Sequence, residues 1–102
     1  MSDATYIRQG RGSLLNITTP TVVATVPKDF APGQCRVARV QVLIAGTTPG
    51  GVYDGTSTSG NTAANQVAVI PNVVGSYLID MPCLAGIVVI PGTGQTVAIS
   101  YD

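Results

Sequence analysis

The stretch Cys35-Arg36-Val37-Ala38-Arg39-Val40-Gln41-Val42-Leu43-Ile44-Ala45 decides how the rest of this chain is read. Ala38, Val40, Val42 and Ile44 fall on one side of an extended backbone, with Arg39 and Gln41 on the other. That period of two marks a half-buried β-strand. Arg36 is harder to assign, because Val37 and Ala38 interrupt the alternation beside it. Residues 95–101 repeat the pattern, with Val97, Ile99 and Tyr101 on one face. Ile87-Val88-Val89-Ile90 is unbroken and apolar, and predicts a strand covered on both faces. Shorter strands are expected at residues 14–18, where Leu15 and Ile17 share a face, and at 21–26, 64–70 and 76–80. Val52 and Tyr53 suggest a short edge strand. Between them lie PKDFAPGQ (27–34), GTTPGG (46–51), DGTSTSGNT (54–62) and PGTG (91–94), all rich in residues that break ladders and favour turns.

Composition agrees with this pattern. The 102 residues include 14 Val, 12 Thr and 8 Ile, but one Lys and no Glu. β-branched side chains suit pleated sheets, and the residues that decorate exposed helices are missing. No segment sustains a period of 3.6, so helix should stay below about a tenth of the chain. Strand signals recur at intervals of about 8–12 residues. The fold class predicted is therefore all-β: a β-sandwich or jelly-roll-like domain of roughly seven to eight mostly antiparallel strands. Residues 1–12 read as an extended N-terminal arm and 13–102 as a single β domain.

Charged residues make up 10% of the chain, against about 25% in an average soluble protein. The surface must consist of hydroxyls, amides, glycine and exposed apolar groups, which tolerate contact with neighbours. Net charge is zero, yet Arg8, Arg11, Lys28, Arg36 and Arg39 all precede residue 40, and Asp54, Asp80 and Asp102 follow it. Chance accounts for this split, or it marks a dipolar subunit that docks by one end. Four scattered arginines do not make the basic cluster of a nucleic-acid-binding domain. No apolar run reaches the roughly 18–20 residues that span a bilayer, and the N-terminus lacks the apolar core of a signal peptide. A soluble chain assembled in the cytoplasm of its producer is expected.

Histidine and glutamate are absent, which removes the usual general bases and imidazole ligands. Cys35 and Cys83 have no histidine to activate a thiolate. One disulfide is conceivable, but a disulfide scaffold of this size normally carries more bridges, so two reduced, buried thiols are expected. Asp54-Gly55-Thr56 offers oxygens to a calcium ion, which needs about 6–8 of them; a polar turn is the simpler account. Gly92-Thr93-Gly94-Gln95-Thr96 lacks the lysine and the helix of a phosphate loop, and reads as a hairpin turn. Asn16-Ile17-Thr18 matches the glycosylation triplet but reads as ordinary sheet residues. Tyr77 and Tyr101 alternate with apolar residues and belong to core or interface. No enzyme activity, cofactor or metal is expected.

Three stretches carry a family resemblance. They are Arg11-Gly12-Ser13-Leu14-Leu15-Asn16-Ile17-Thr18, Ile70-Pro71-Asn72-Val73-Val74-Gly75 and the run PCLAGIVVIPGTGQ over residues 82–95. Together they resemble small virion structural proteins of roughly this length encoded by tailed bacteriophages. The likeness covers most of the chain and is weakest at residues 20–34 and 52–62. It implies a setting, the virion, without implying a catalytic motif. Within that setting the expectation is a capsid decoration (cement) protein, with the major capsid protein and copies of itself as partners. A tail, fibre or head-spike module that binds host-surface glycan is the alternative, and a structural β-domain of another large assembly is a third. Residues proposed to touch the partner are Arg8 and Arg11 on the arm, through bidentate pairing with carboxylates, and Arg36 and Arg39 on the long strand. An extended arm could also add a strand to a neighbour's sheet edge. Self-association is expected from the charge-poor surface, the small core and the cover that residues 87–90 need. Three-fold sites on capsid lattices make a trimer the preferred state.

Overall fold

A computed structural model describes residues 12–26 and 35–101. Eight strands are present: β1 (Gly12–Ile17), β2 (Thr21–Thr25), β3 (Cys35–Ile44), β4 (Gly50–Tyr53), β5 (Gln66–Ile70), β6 (Gly75–Cys83), β7 (Gly86–Ile90) and β8 (Thr96–Tyr101). The one helical element among the described residues is a 3-10 turn at Ala63–Asn65. Most of the arm expected at residues 1–12, with Arg8 and Arg11, lies outside the described residues, although its last residue, Gly12, already belongs to β1.

Pairing follows a simple rule. β1 lies against β8, β2 against β7, β3 against β6 and β4 against β5, all antiparallel. That is one long folded-back ribbon, and its further contacts β3·β8 and β4·β7 roll it into two four-stranded sheets. The sheet here termed A has the order β1-β8-β3-β6, and sheet B the order β2-β7-β4-β5. This winding is that of an eight-stranded jelly roll. The two inner faces meet in an aliphatic core in which Val37, Val40, Val52, Ile87, Val89 and Val97 are completely buried.

Three irregularities set which side chains face out. On β1, Leu14 pairs with Ile99 and Ile17 with Val97, so three residues span what β8 covers in two. Asn16 takes up the excess at φ 57, a left-handed conformation that asparagine tolerates. Ile17 is therefore core while Leu15 is 69% exposed, and the two do not share a face as the alternation suggested. On β3 the register shifts between Val37 and Arg39 against both neighbours. Cys35, Val37, Val40 and Val42 consequently all point inward, Ala38 is half-buried, and Arg36 and Arg39 both point outward. A further shift against β8 beyond Val42 leaves Ile44 exposed, so Ile44 does not join the core face assigned to it. On β6, Asp80 at φ 52 absorbs the matching extra residue.

Two other expectations change. β4 is not an edge: it lies between β7 and β5, begins two residues earlier than Val52, and buries Val52 fully. β6 runs through Pro82 to Cys83, past the stop expected at residue 80. Proline is tolerated because β6 is the outer strand of sheet A and no ladder donor is lost. The apolar run in β7 is covered on both faces as predicted, with Ile87, Val88 and Val89 at zero exposure. The cover comes from within one chain, so β7 supplies no reason for a second copy.

Candidate functional site

Among the described residues, no element lies across the outer face of sheet A. Ser13, Ser100, Arg39 and Leu78 lie side by side in one row across β1, β8, β3 and β6. The next row holds Ala98, Gln41 and Ser76, with Leu15 beside Ala98 on β1. Small residues on β8 flanked by larger ones on β1 and β3 make a trough of about 130 Å³ along β8, walled by Leu15, Arg39 and Gln41. Leu15 and Leu78 are exposed at 69% and 68%, and Leu43 stands half out of the same sheet face. Arg39 is exposed, and among the described residues its guanidinium has no ion pair.

The arginines singled out from sequence thus separate. Arg36 and Arg39 share the outer face of sheet A, but Arg36 donates from Nη1 to Asp80 Oδ1 at 2.8 Å and to the Asp80 carbonyl at 3.3 Å. A basic residue of the first half and an acidic residue of the second therefore neutralise each other across β3 and β6, and this part of the charge split closes within one chain. Leu78 was missed in the sequence, although a signal existed: Ser76 and Asp80 at two-residue spacing place Leu78 on the polar side of its strand.

Asp54 has a structural task in a turn. Its Oδ2 accepts from Leu84 N at 2.8 Å, and Oδ1 accepts from Ala85 N at 2.7 Å and Gly86 N at 3.2 Å. The carboxylate thereby closes the turn between β6 and β7. Asn65 donates to the Asp54 carbonyl and to Asn61 Oδ1, and Asp54 N donates back to the Asn65 carbonyl, so residues 54–65 fold into a tied loop. Gly55 lies beside Val88 on the outer side of sheet B. Gly86 is tight against the same loop, where an added Cβ would collide with the carbonyl oxygens of Gly55 and Ala24.

At the opposite end, Gln95 is 1% exposed and bonded at both ends of its amide: Nε2 donates to the Pro71 carbonyl and Oε1 accepts from Gly92 N, each at 2.9 Å. Asn72 brackets Gly46, accepting from its N–H and donating to its carbonyl at 2.7 Å each. Residues 91–95 form a turn with Gly94 at φ 77, but they carry the chain from β7 in sheet B to β8 in sheet A, so the hairpin expected here is replaced by a connection between the sheets. Cys35 and Cys83 stand directly opposite each other on β3 and β6, both buried and not joined as a disulfide. Burial pushes the Cys83 thiol up to about 12, helped by Cys35 and by the Asp54 carboxylate, so it is protonated at neutral pH.

Across the outer side of sheet B runs a shallow groove of about 360 Å³, bordered by Tyr53, Gln66, Thr48 and Thr93 over the glycines at 50 and 51. Among the described residues no three Cys or Asp side chains converge as a metal site would require. No protein-family model, no curated protein and no solved structure matches this chain.

Proposed function

We propose that this chain is a non-enzymatic structural protein of a tailed-phage virion, a decoration protein that binds the head shell through the outer face of sheet A. The observation that carries the reading is that face: a four-stranded surface with exposed Leu15, Leu43 and Leu78 and, among the described residues, one arginine without an ion pair. Apolar area of this kind contributes roughly 25 cal/mol per Å² when a partner covers it, and weak single contacts suffice where sites repeat over a lattice. Jelly rolls recur in viral capsid proteins, a fold-level analogy that adds to the reading without carrying it. Lack of His and Glu, and a Cys83 thiol held protonated, fit a protein that acts by contact. The partners proposed are the major capsid protein and further copies of this chain, as a trimer on three-fold sites.

The test is quantitative mass spectrometry of purified virions together with heating of particles that have or lack the protein. Hundreds of copies per particle and a higher temperature of DNA release are expected, since a bound partner stabilises the state it binds. A handful of copies and no thermal effect would sink the decoration reading.

The groove on sheet B favours a second reading, a tail or fibre module for host glycan. It joins an aromatic ring, an amide and two hydroxyls without any charge, a set suited to a neutral sugar. Retention on immobilised host polysaccharide that is lost in Tyr53→Ala, with particle heat stability unchanged, would favour it.

A further inference from the structure

We propose that the trough over β8 receives an extended acidic segment of a protein partner. A carboxylate of that segment pairs with Arg39, and a neighbouring aliphatic side chain fills the space against Leu15 and Ala98. This deepens the reading of sheet A as a docking face by stating what the partner must present.

Three observations select this occupant. The first is charge. Among the described residues, Asp80 neutralises Arg36, and the Asp54 carboxylate is held by three backbone N–H groups. Arg39 is the cation left over, at the middle of a face whose other residues in its row are Ser13, Ser100 and Leu78. A guanidinium offers N–H groups in a planar fork that matches a carboxylate, so the complement is an acid. The second is size. The trough holds about 130 Å³, well below the several hundred Å³ of a pocket for a free small molecule, and suits one side chain. The third is relief. Ser13, Ser76, Ala98 and Ser100 keep the floor low, which lets an extended backbone approach between Leu15 and Leu78.

Other occupants fit worse. A second copy stacked on this face about a two-fold axis would set Arg39 against Arg39, and neither described aspartate is free to intervene. Nucleic acid needs several unpaired cations along a phosphate track, and among the described residues this face offers one, Arg39.

The experiment titrates the full, isotope-labelled chain with a blocked tripeptide bearing aspartate between two leucines, and follows amide shifts. Shifts are expected at Ser13, Leu15, Arg39, Gln41 and Ser100. Affinity should fall about tenfold or more with the asparagine counterpart of the peptide and in Arg39→Gln, and less in Arg39→Lys, which keeps the charge but loses the fork. Arg39 is exposed, so the variants retain the native spectrum elsewhere. Equal binding of the asparagine peptide, indifference to Arg39→Gln, or shifts confined to sheet B would overturn the proposal. So would the same shifts produced by raising protein concentration alone or by a short oligonucleotide. The reading as a decoration protein is scored separately, by addition of the chain to undecorated heads. Peptide binding without head binding removes that reading and leaves the acidic-segment site standing. Head binding that survives Arg39→Gln does the reverse.

Discussion

The two sheets turn very different outer faces to their surroundings. On sheet B, Val88 points outward yet has no exposure: it is set between its strand partners Val22 and Tyr53, and Gly55 of the loop tied by Asp54 lies beside it. On sheet A, Leu78 points outward in the same way and remains 68% exposed. Both are aliphatic residues on strands of one jelly roll. What separates them, among the described residues, is the loop that starts at Asp54, whose Gly55 reaches Val88, while no described loop covers Leu78. An apolar side chain left in water where the chain elsewhere covers its like is a surface suited to a partner.

Aspartate substitution puts the sharpest strain on this contrast. Val88→Asp places an uncompensated charge in a dry site, at a cost of several kcal/mol against a total stability of about 5–15. We expect the chain not to fold, read as loss of the cooperative thermal transition. Leu78→Asp on the bare face should shift stability by no more than about 0.5 kcal/mol. Similar effects from the two would remove the distinction between a covered and an open face.

Removing the anchor of the loop should give the next largest effect. Asp54→Ala leaves the N–H groups of Leu84, Ala85 and Gly86 without their acceptor, and hydrogen bonds to charged groups contribute about 1.5–3 kcal/mol each. Water can reach the half-buried site, so a loss of about 2–4 kcal/mol in chemical denaturation is expected. Hydrogen exchange should accelerate in β7 and β4 while β8 and β3 keep their protection. Uniform acceleration over both sheets would mean that the loop does not belong to sheet B alone.

Much of this architecture was legible in the sequence. The strands at residues 35–45, 87–90 and 95–101 follow from alternation or from unbroken apolar runs, and β7 is buried on both faces as its composition implied. The assignment of faces was less legible. Asn16, Ala38 and Asp80 each mark a place where one strand carries an extra residue. An inserted residue inverts every alternation beyond it without changing composition, so Leu15 and Arg36 could not be placed from spacing alone. Asn16 and Asp80 are the residue types that accept a left-handed backbone, a hint that becomes decisive once the partner strand is known. The Asp54 anchor spans 30 residues to Leu84 and leaves no local mark in either segment.

Inside sheet A, at the end nearest Asp54, the cysteines offer a third test. The folded Cys83 thiol titrates at about 12, against 9.0 for an ordinary thiol, because burial disfavours the thiolate. Between those values the unfolded chain has released a proton that the folded chain retains, so stability falls as pH rises. The fall should begin near pH 9 and amount to about 1.4 kcal/mol per unit, reaching roughly 2–3 kcal/mol by pH 11. Cys83→Val should flatten this slope. Ellman's reagent at pH 8 should release nothing until denaturant is added, and then two thiols per chain. Rapid reaction of the folded protein would show that this end of sheet A is as open inside as its outer face is.

A smaller effect than these belongs to the ion pair on the bare face. Arg36 and Asp80 are separated by 2.8 Å, but their side chains are 35% and 65% exposed, where solvent screens most of the attraction. Asp80→Asn keeps a residue that tolerates φ 52 and removes the charge, so it should cost less than about 1 kcal/mol and fade further in high salt. Asp80→Val removes the same charge and also forces a β-branched residue into a left-handed conformation, adding a cost of order 1–3 kcal/mol. The difference between these two variants isolates the bulge from the ion pair. If they are equal, the backbone at Asp80 is not held left-handed. The register that turns Arg39 and Leu78 to the same open face would then have to be kept by Ala38 alone.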